Sequence, residues 1–365
     1  MIAYNKEWLR LLYARGQYTD AYAEGYLSAE QYKTLYNGTG TGLYTPNIFI
    51  RIGMGLLTVV ITVFGIALLG LLSGFDFDSI AGFLIFYALL CYGALELIVN
   101  TKRHYNSGVD NVLLFFTMIL FVSGVRSGFN AHSAAGDLLA SGLSVMYCSY
   151  LAYRFADAMA AAFAVLSGVV FVLFLLHLFL PTAALFPAAM LLCWAIYTWC
   201  TRLLAAASRP VYDFVLRGIA LTALVLLYLS GNVYTVDVFS NELIGDAPLV
   251  TAGNTLTRAF YWAWTLAVPA VYILAGVRRK NIVLIRTGVI FLAVAVITFR
   301  AYHSLLSAEV AMILGGSLLL LTSTVLIRLL RQPQKGFTFA ETPKAPAELN
   351  VEDLLTEKII TRATQ

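Results

Sequence analysis

Arg126, Arg258 and Arg300 each stand at the edge of a long apolar run, and two of them are followed by the same kinds of residue. His132 and Asp137 come after Arg126, and His303 and Glu309 come after Arg300. A guanidinium fork matches the geometry of carboxylate and phosphate, and histidine titrates near neutral pH. The set therefore suits binding of a small polar or anionic solute. The same residues also suit ion pairing at a membrane surface, and the sequence alone leaves both readings open.

A second group lies inside apolar runs. Glu96 sits one turn from the end of its run, Asp110 and Asn111 open the next, and Arg286 sits one turn into a later one. A charge at membrane depth is costly and marks either a neutralising pair or a relay for a proton or cation. Glu96 and Arg286 are expected to pair. Asp213 and Arg217, spaced i, i+4, are expected to satisfy each other or to reach the interface along their stems.

Little else carries chemistry. The sequence has no P-loop, no HExxH, no G-x-S-x-G and no metal-spaced His pair. Cys91, Cys148, Cys193 and Cys200 fall in apolar runs with no CxxC spacing, so they read as small buried residues. No catalytic residue, metal or cofactor is expected, and an enzyme is disfavoured.

The elements that must position these residues are set by composition. The chain has 365 residues, 60% of them apolar and 12% charged, with mean hydropathy +0.80. A soluble domain carries about a quarter charged residues, so the lipid bilayer is the expected environment. Ten apolar runs, at 52–73, 79–99, 109–125, 135–152, 158–180, 183–201, 212–231, 259–277, 282–300 and 308–327, approach the length of a helical span. The fold class expected is an all-α, polytopic transmembrane bundle of ten helices. Residues 1–50 read as an amphipathic helical segment with a capping box at Ser28–Gln31, 51–328 as the membrane domain, and 329–365 as a polar tail with a short helix at 351–360.

Lys and Arg concentrate on inner loops. With the first residues inside, Lys102, Arg103, Arg154, Arg202, Arg209, Arg217, Arg278, Arg279 and Lys280 share one side, which places both termini in the cytoplasm. The net charge of +4 follows from this bias and calls for no nucleic acid.

Helices two to four and eight to ten share an order of residues. Phe86-Tyr87 answers to Phe260-Tyr261, Lys102-Arg103-His104 to Arg278-Arg279-Lys280, Arg126 to Arg300, His132-Ser133 to His303-Ser304, and Asp137 to Glu309. An offset of six helices makes this a parallel repeat, as found in some transporters. Gly25-Tyr-Leu-Ser-Ala-Glu-Gln31, Ser107-Gly-Val-Asp-Asn111 and Thr298–His303 followed by Gly315-Gly316 are similar to stretches of a broad group of bacterial membrane proteins of the domain-of-unknown-function type. The resemblance implies a bacterial inner-membrane protein and assigns no active residue. The number of spans is also similar to that of drug/metabolite transporters, but those are built from inverted five-helix halves. Two functions are expected from different classes. One is transport or binding of a small polar or anionic solute. The other is a scaffold or sensor that holds cytoplasmic protein partners through its ends.

Overall fold

The computed structural model describes residues 2–23, 25–72, 80–129, 133–206, 212–244, 247–279, 281–302 and 308–331. Within them the chain is helical, with no strand beyond a single bridge between Tyr44 and His104. Two helices precede the apolar runs, α1 (Lys6–Ala23) and α2 (Ala29–Gly38). The first unit then takes α3 (Ile48–Leu72), α4 (Ile80–Lys102), α5 (Val109–Gly128) and α6 (Ala134–Phe155). These are followed by α7 (Ala158–His177), α8 (Thr182–Ala205), α9 (Asp213–Leu229), α10 (Val233–Val238), α11 (Thr255–Arg278), α12 (Ile282–Tyr302) and α13 (Ala308–Arg331). Each expected apolar run falls on one of these helices.

Seven of them, α3, α4, α5, α7, α8, α11 and α12, are long and apolar enough to cross a membrane. α9 joins them only together with α10, across a bend of 80°. α6 is more polar than the expectation of ten similar spans allowed. Its buried face carries Asp137, Ser141 and Ser144.

The helices follow from the solvent. In hydrocarbon a backbone amide finds no water, so each segment must satisfy its own hydrogen bonds. The apolar surface then faces lipid: Phe49 and Leu71 are each 82% exposed on α3. Cys91, Cys148, Cys193 and Cys200 are all buried.

The chain divides into two compact units. One holds the described residues up to Phe171 together with Trp199–Ile219, and the other holds Val172–Thr198 and the described residues from Ala220 on. The centre of the first is the α4–α5 hairpin. A Cβ on Gly124 of α5 would stand 2.8 Å from Ile85 Cγ1 and 3.1 Å from the Ala81 carbonyl of α4, so glycine is what lets the backbones approach. In the second unit a Cβ on Gly288 of α12 would stand 2.8 Å from Ile273 Cγ1 and 2.9 Å from the Pro269 carbonyl of α11.

The two hairpins bury corresponding positions at a fixed offset of 174 residues. Tyr87, Cys91, Leu95 and Val99 of α4 answer to the buried Tyr261, Thr265, Pro269 and Ile273 of α11. Asp110, Leu113, Leu114, Thr117 and Gly124 of α5 answer to the buried Leu284, Thr287, Gly288, Phe291 and Thr298 of α12. Arg126 and Arg300 fall at the same offset. The register is thus kept through both helices and the turn between them.

The N-terminal segment is docked on the first unit. Tyr4, Leu9 and Leu43 join a core with Leu95, Leu113, Leu151 and Phe155. Arg103 covers the Trp8 ring at 4.7 Å. Ser28 caps α2, accepting from Gln31 N while Gln31 Oε1 accepts from Ser28 N, as the sequence pattern requires. The α4–α5 turn beneath this segment holds three residues with left-handed backbone, Arg103 (φ 56°), Asn106 (φ 52°) and Gly108 (φ 94°). A Cβ at Gly108 would collide with the Arg51 carbonyl of α3.

Gly108→Ala is accordingly expected to cost at least about 2 kcal/mol through strain and overlap. Gly93→Ala, where an added Cβ would meet nothing within 4 Å, is expected to leave stability unchanged or to gain up to about 1 kcal/mol in helix propensity. Thermal unfolding of the two variants in detergent measures the contrast, and equal melting temperatures would contradict it.

Candidate functional site

Among the described residues, the polar groups of interest fall at several separate places. At the far end of the α5–α6 connection, Arg126 Nη1 lies 2.6 Å from Asp137 Oδ1. The Asp137 side chain is 7% exposed and that of Arg126 44% exposed, so the acid is buried while much of the guanidinium is free to meet solvent. Ser133 caps α6 by accepting from Gly136 N, which aims the first turn and Asp137 with it. In the second unit Arg258, in the first turn of α11, donates to the Thr251 carbonyl at 2.7 Å. Asn254 caps that helix by accepting from Thr257 N. Arg300 is exposed near the end of α12. His132 and His303 lie outside the described residues, as does the side chain of Glu309. Of the expected set, the pair brought together is Arg126 with Asp137.

The second place is Glu96 on α4. Its partner is Arg154 of α6, not Arg286. Arg154 Nε donates to Oε1 at 2.8 Å and Nη2 to Oε2 at 3.1 Å, a bidentate pair. The Tyr92 hydroxyl donates to Oε1 at 2.8 Å and Asn100 Nδ2 to Oε2 at 3.1 Å. The Tyr92 hydroxyl also lies 2.7 Å from that of Tyr150. Both carboxylate oxygens are therefore occupied by neighbours on α4 and α6, which leaves no role there for Arg286. Arg286 is itself exposed on α12. The correction has a simple cause. Depth along a helix is readable from sequence, but the rotational phase that selects a partner is not.

The third place is the pair of turns between α4 and α5 and between α6 and α7. Asp110, 4% exposed, folds back over its turn. Its Oδ2 accepts from Asn106 N at 2.7 Å, and its Oδ1 accepts from Ser107 N at 2.8 Å and from Ser107 Oγ at 3.0 Å. Asn106 Oδ1 receives Arg51 Nη2 at 3.0 Å and Asn111 Nδ2 at 3.2 Å. Asp157 caps α7, its Oδ1 accepting from Met159 N at 2.8 Å and from Ala160 N at 2.9 Å. Tyr4, Tyr105, Asp110 and Asp157 line a shared cavity of about 10 Å³, room for one water. Burial pushes the Asp157 carboxyl above its ordinary range, and the nearby Asp110 adds to the shift while the two cap bonds oppose it. Burial likewise lowers His104, whose Nδ1 lies 2.8 Å from Ser107 Oγ. Asp110 thus serves as an acceptor for its own turn. The sequence reading passed over Asp157, although an Asp directly before an apolar run is a cap signal.

The fourth place is the break between α9 and α10. Asn232, 1% exposed, donates to the Tyr228 hydroxyl at 3.2 Å and to Thr298 Oγ1 at 3.0 Å, and its Oδ1 accepts from Thr235 N. Thr265 Oγ1 accepts from Val233 N at 3.1 Å and donates to the Tyr261 carbonyl at 2.8 Å. Tyr228 stacks on Phe291 with centroids 4.2 Å apart. Beyond the break Asp237 accepts from Val250 N at 2.6 Å and from the Tyr302 hydroxyl at 2.9 Å. Thr265 of α11 and Asn232 thereby take up amides that the interruption frees, while Thr298 and Tyr302 of α12 hold the Asn232 and Asp237 side chains in place. Ser230-Gly231-Asn232 is the readable signal for the interruption. Gly231 is needed because any Cβ there would strike the Trp264 ring.

Two measurements check these assignments. Glu96→Gln and Arg154→Gln are each expected to cost about 2 kcal/mol, between the values for exposed and buried pairs. Exchanging the charges, Glu96→Arg with Arg154→Glu, recovers part of the lost melting temperature; a cycle with no coupling would rule the pair out. For Asp157, burial favours the neutral acid, so the folded pKa lies above the unfolded one. The associated stability is complete below the unfolded value and is lost as pH rises through the folded value. Asp157→Asn keeps the cap acceptor and removes that loss. It is expected to melt at or above the parent at neutral pH, with the difference shrinking as pH falls toward the carboxylate range. Asp157→Ala, which loses the cap, is expected to be about 1 kcal/mol less stable than Asp157→Asn at every pH.

No protein-family model matches the sequence, and no curated protein matches it.

Proposed function

We propose that this chain is a membrane protein that binds and passes a small polar or anionic solute. The observation that carries the reading is the 80° interruption between α9 and α10, built around Asn232, Tyr228, Thr265 and Thr298. Irregular backbone at membrane depth occurs where it is buried in protein or lines a water-filled path, and interrupted helices of this kind recur at transporter binding sites. The exposed guanidinium of Arg126 beside a buried acid, and exposed Arg258 and Arg300 at helix ends, supply donors suited to an anion. The corresponding burial of the α4–α5 and α11–α12 hairpins supports a duplicated scaffold, which many transporters share. The excess of Lys and Arg on one set of loops supports cytoplasmic termini, and the resemblance of Gly25–Gln31 and Thr298–His303 supports a bacterial inner membrane.

One observation favours a second reading. No residue of α2 is buried, so the fold does not need that helix for its core. Leu35 and Tyr36 stand exposed on it. A scaffold or sensor would use such a surface to hold a cytoplasmic protein.

Flux into liposomes separates the two. The full chain, reconstituted and loaded against a panel of labelled small carboxylates, phosphates and polar neutral solutes, is expected to pass at least one of them. Arg126→Gln and Arg300→Gln are expected to reduce that flux about ten-fold, the loss of about 1.4 kcal/mol of anion stabilisation. Folded protein that passes none of the panel would overturn transport. Co-purification of a protein lost on deleting 29–38 would favour the scaffold.

A further inference from the structure

A second cavity is lined by none of the polar residues described above. It has a volume of about 410 Å³ and sits between α6, α7, α8 and α9, wholly within the first unit. Its floor is made of small and aliphatic side chains, among them Ala152, Ala161, Ala164 and Val215. Tyr153 and Tyr212 also line it, their rings stacked with centroids 6.2 Å apart and 12° between planes. Tyr153 is 56% exposed, which places it at the edge.

We infer that this cavity holds an acyl chain of a phospholipid drawn from the surrounding bilayer. The volume falls in the range of small-molecule sites, roughly 300–1,000 Å³, and the lining is of the apolar kind those sites use. A void of this size left empty between packed helices would forfeit dispersion contacts on every wall, and an apolar void does not take up water. The supply of apolar chains beside membrane-spanning helices is the lipid itself.

Position along the helices selects a chain attached to a headgroup. The lining residues belong to the last turns of α6, the first turns of α7 and α9 and the end of α8. All four are helix ends, so the cavity opens at the level where a lipid's chain leaves its headgroup. Tyrosines at that level are typical of the membrane interface. Exposed Arg202 lies in the same last turn of α8 as the lining residue Leu203, and a basic residue at that level suits a lipid phosphate.

The test is native mass spectrometry of the full chain released from mild detergent. About one phospholipid per chain is expected to survive removal of bulk lipid. Ala164→Trp, which fills the cavity with its own ring, is expected to reduce the retained lipid about ten-fold without lowering the melting temperature. Equal retention by the parent and the filled variant, or retention of free fatty acid or detergent only, would overturn the assignment. A second measurement needs no variant. A phosphatidylethanolamine carrying a photoreactive diazirine on its acyl chain, in vesicles with the parent protein, is expected to label the peptides around 161–165 and 212–219. Labelling confined to other segments would refute the site even if Ala164→Trp did not fold.

Discussion

A polar group at membrane depth persists only when the protein itself supplies its partners, and each distinctive feature of this molecule is a way of meeting that demand. Glu96 collects Arg154, Tyr92 and Asn100. The amides freed where α9 stops are taken up by Asn232 and Thr265. Asp110 gathers the unsatisfied N–H groups of its own turn. None of these groups is paired with a residue next to it on an ideal helix face alone. Each depends on a neighbouring helix or on a turn of fixed shape, so the polar contacts specify which helices pack together as well as neutralising charge. Apolar surface cannot do that work between lipid-facing helices, because a lipid tail is as apolar as leucine.

Much of the architecture is legible in the sequence because the bilayer imposes one length and one periodicity. The ten apolar runs became ten helices, with ends displaced by a few residues. Ser28–Gln31 capped α2 by the pattern its spacing dictates. The run ending at 231 stopped within two residues of where α9 stops. What the sequence left out was azimuth. Glu96 and Arg286 lie at plausible depths for one another, yet Arg154, 58 residues further along, holds the carboxylate. Nothing in the spacing of α6 shows that its last turn faces Glu96. The contribution of Asp157 was hidden for another reason: its carboxylate serves the backbone, and only the fold shows how deeply that cap is buried.

The candidate solute site was legible in part. Arg126 and Asp137 were singled out together and stand 2.6 Å apart. Arg258 and Arg300 stand exposed at helix ends, and His132, His303 and the Glu309 side chain lie outside the described residues. Ionisable residues drew more weight than Tyr228, Thr265 and Thr298, although Thr265 accepts the Val233 amide and the other two hold the Asn232 side chain at the break. Uncharged hydroxyls inside apolar runs look unremarkable until the helix beside them is found to be broken.

α3 bears on how the molecule is made. Only 11% of its most apolar window is buried, the smallest share among the seven spanning helices. It is fastened chiefly where the Tyr87 hydroxyl donates to the Thr62 carbonyl and where Gly55 rests against the α4–α5 turn. α3 precedes the α4–α5 hairpin in the chain. Its apolar length lets lipid contact hold it without much cover from other helices. The hairpin made after it then meets a helix already in place, so the least enclosed of these spans offers the hairpin a surface to dock on.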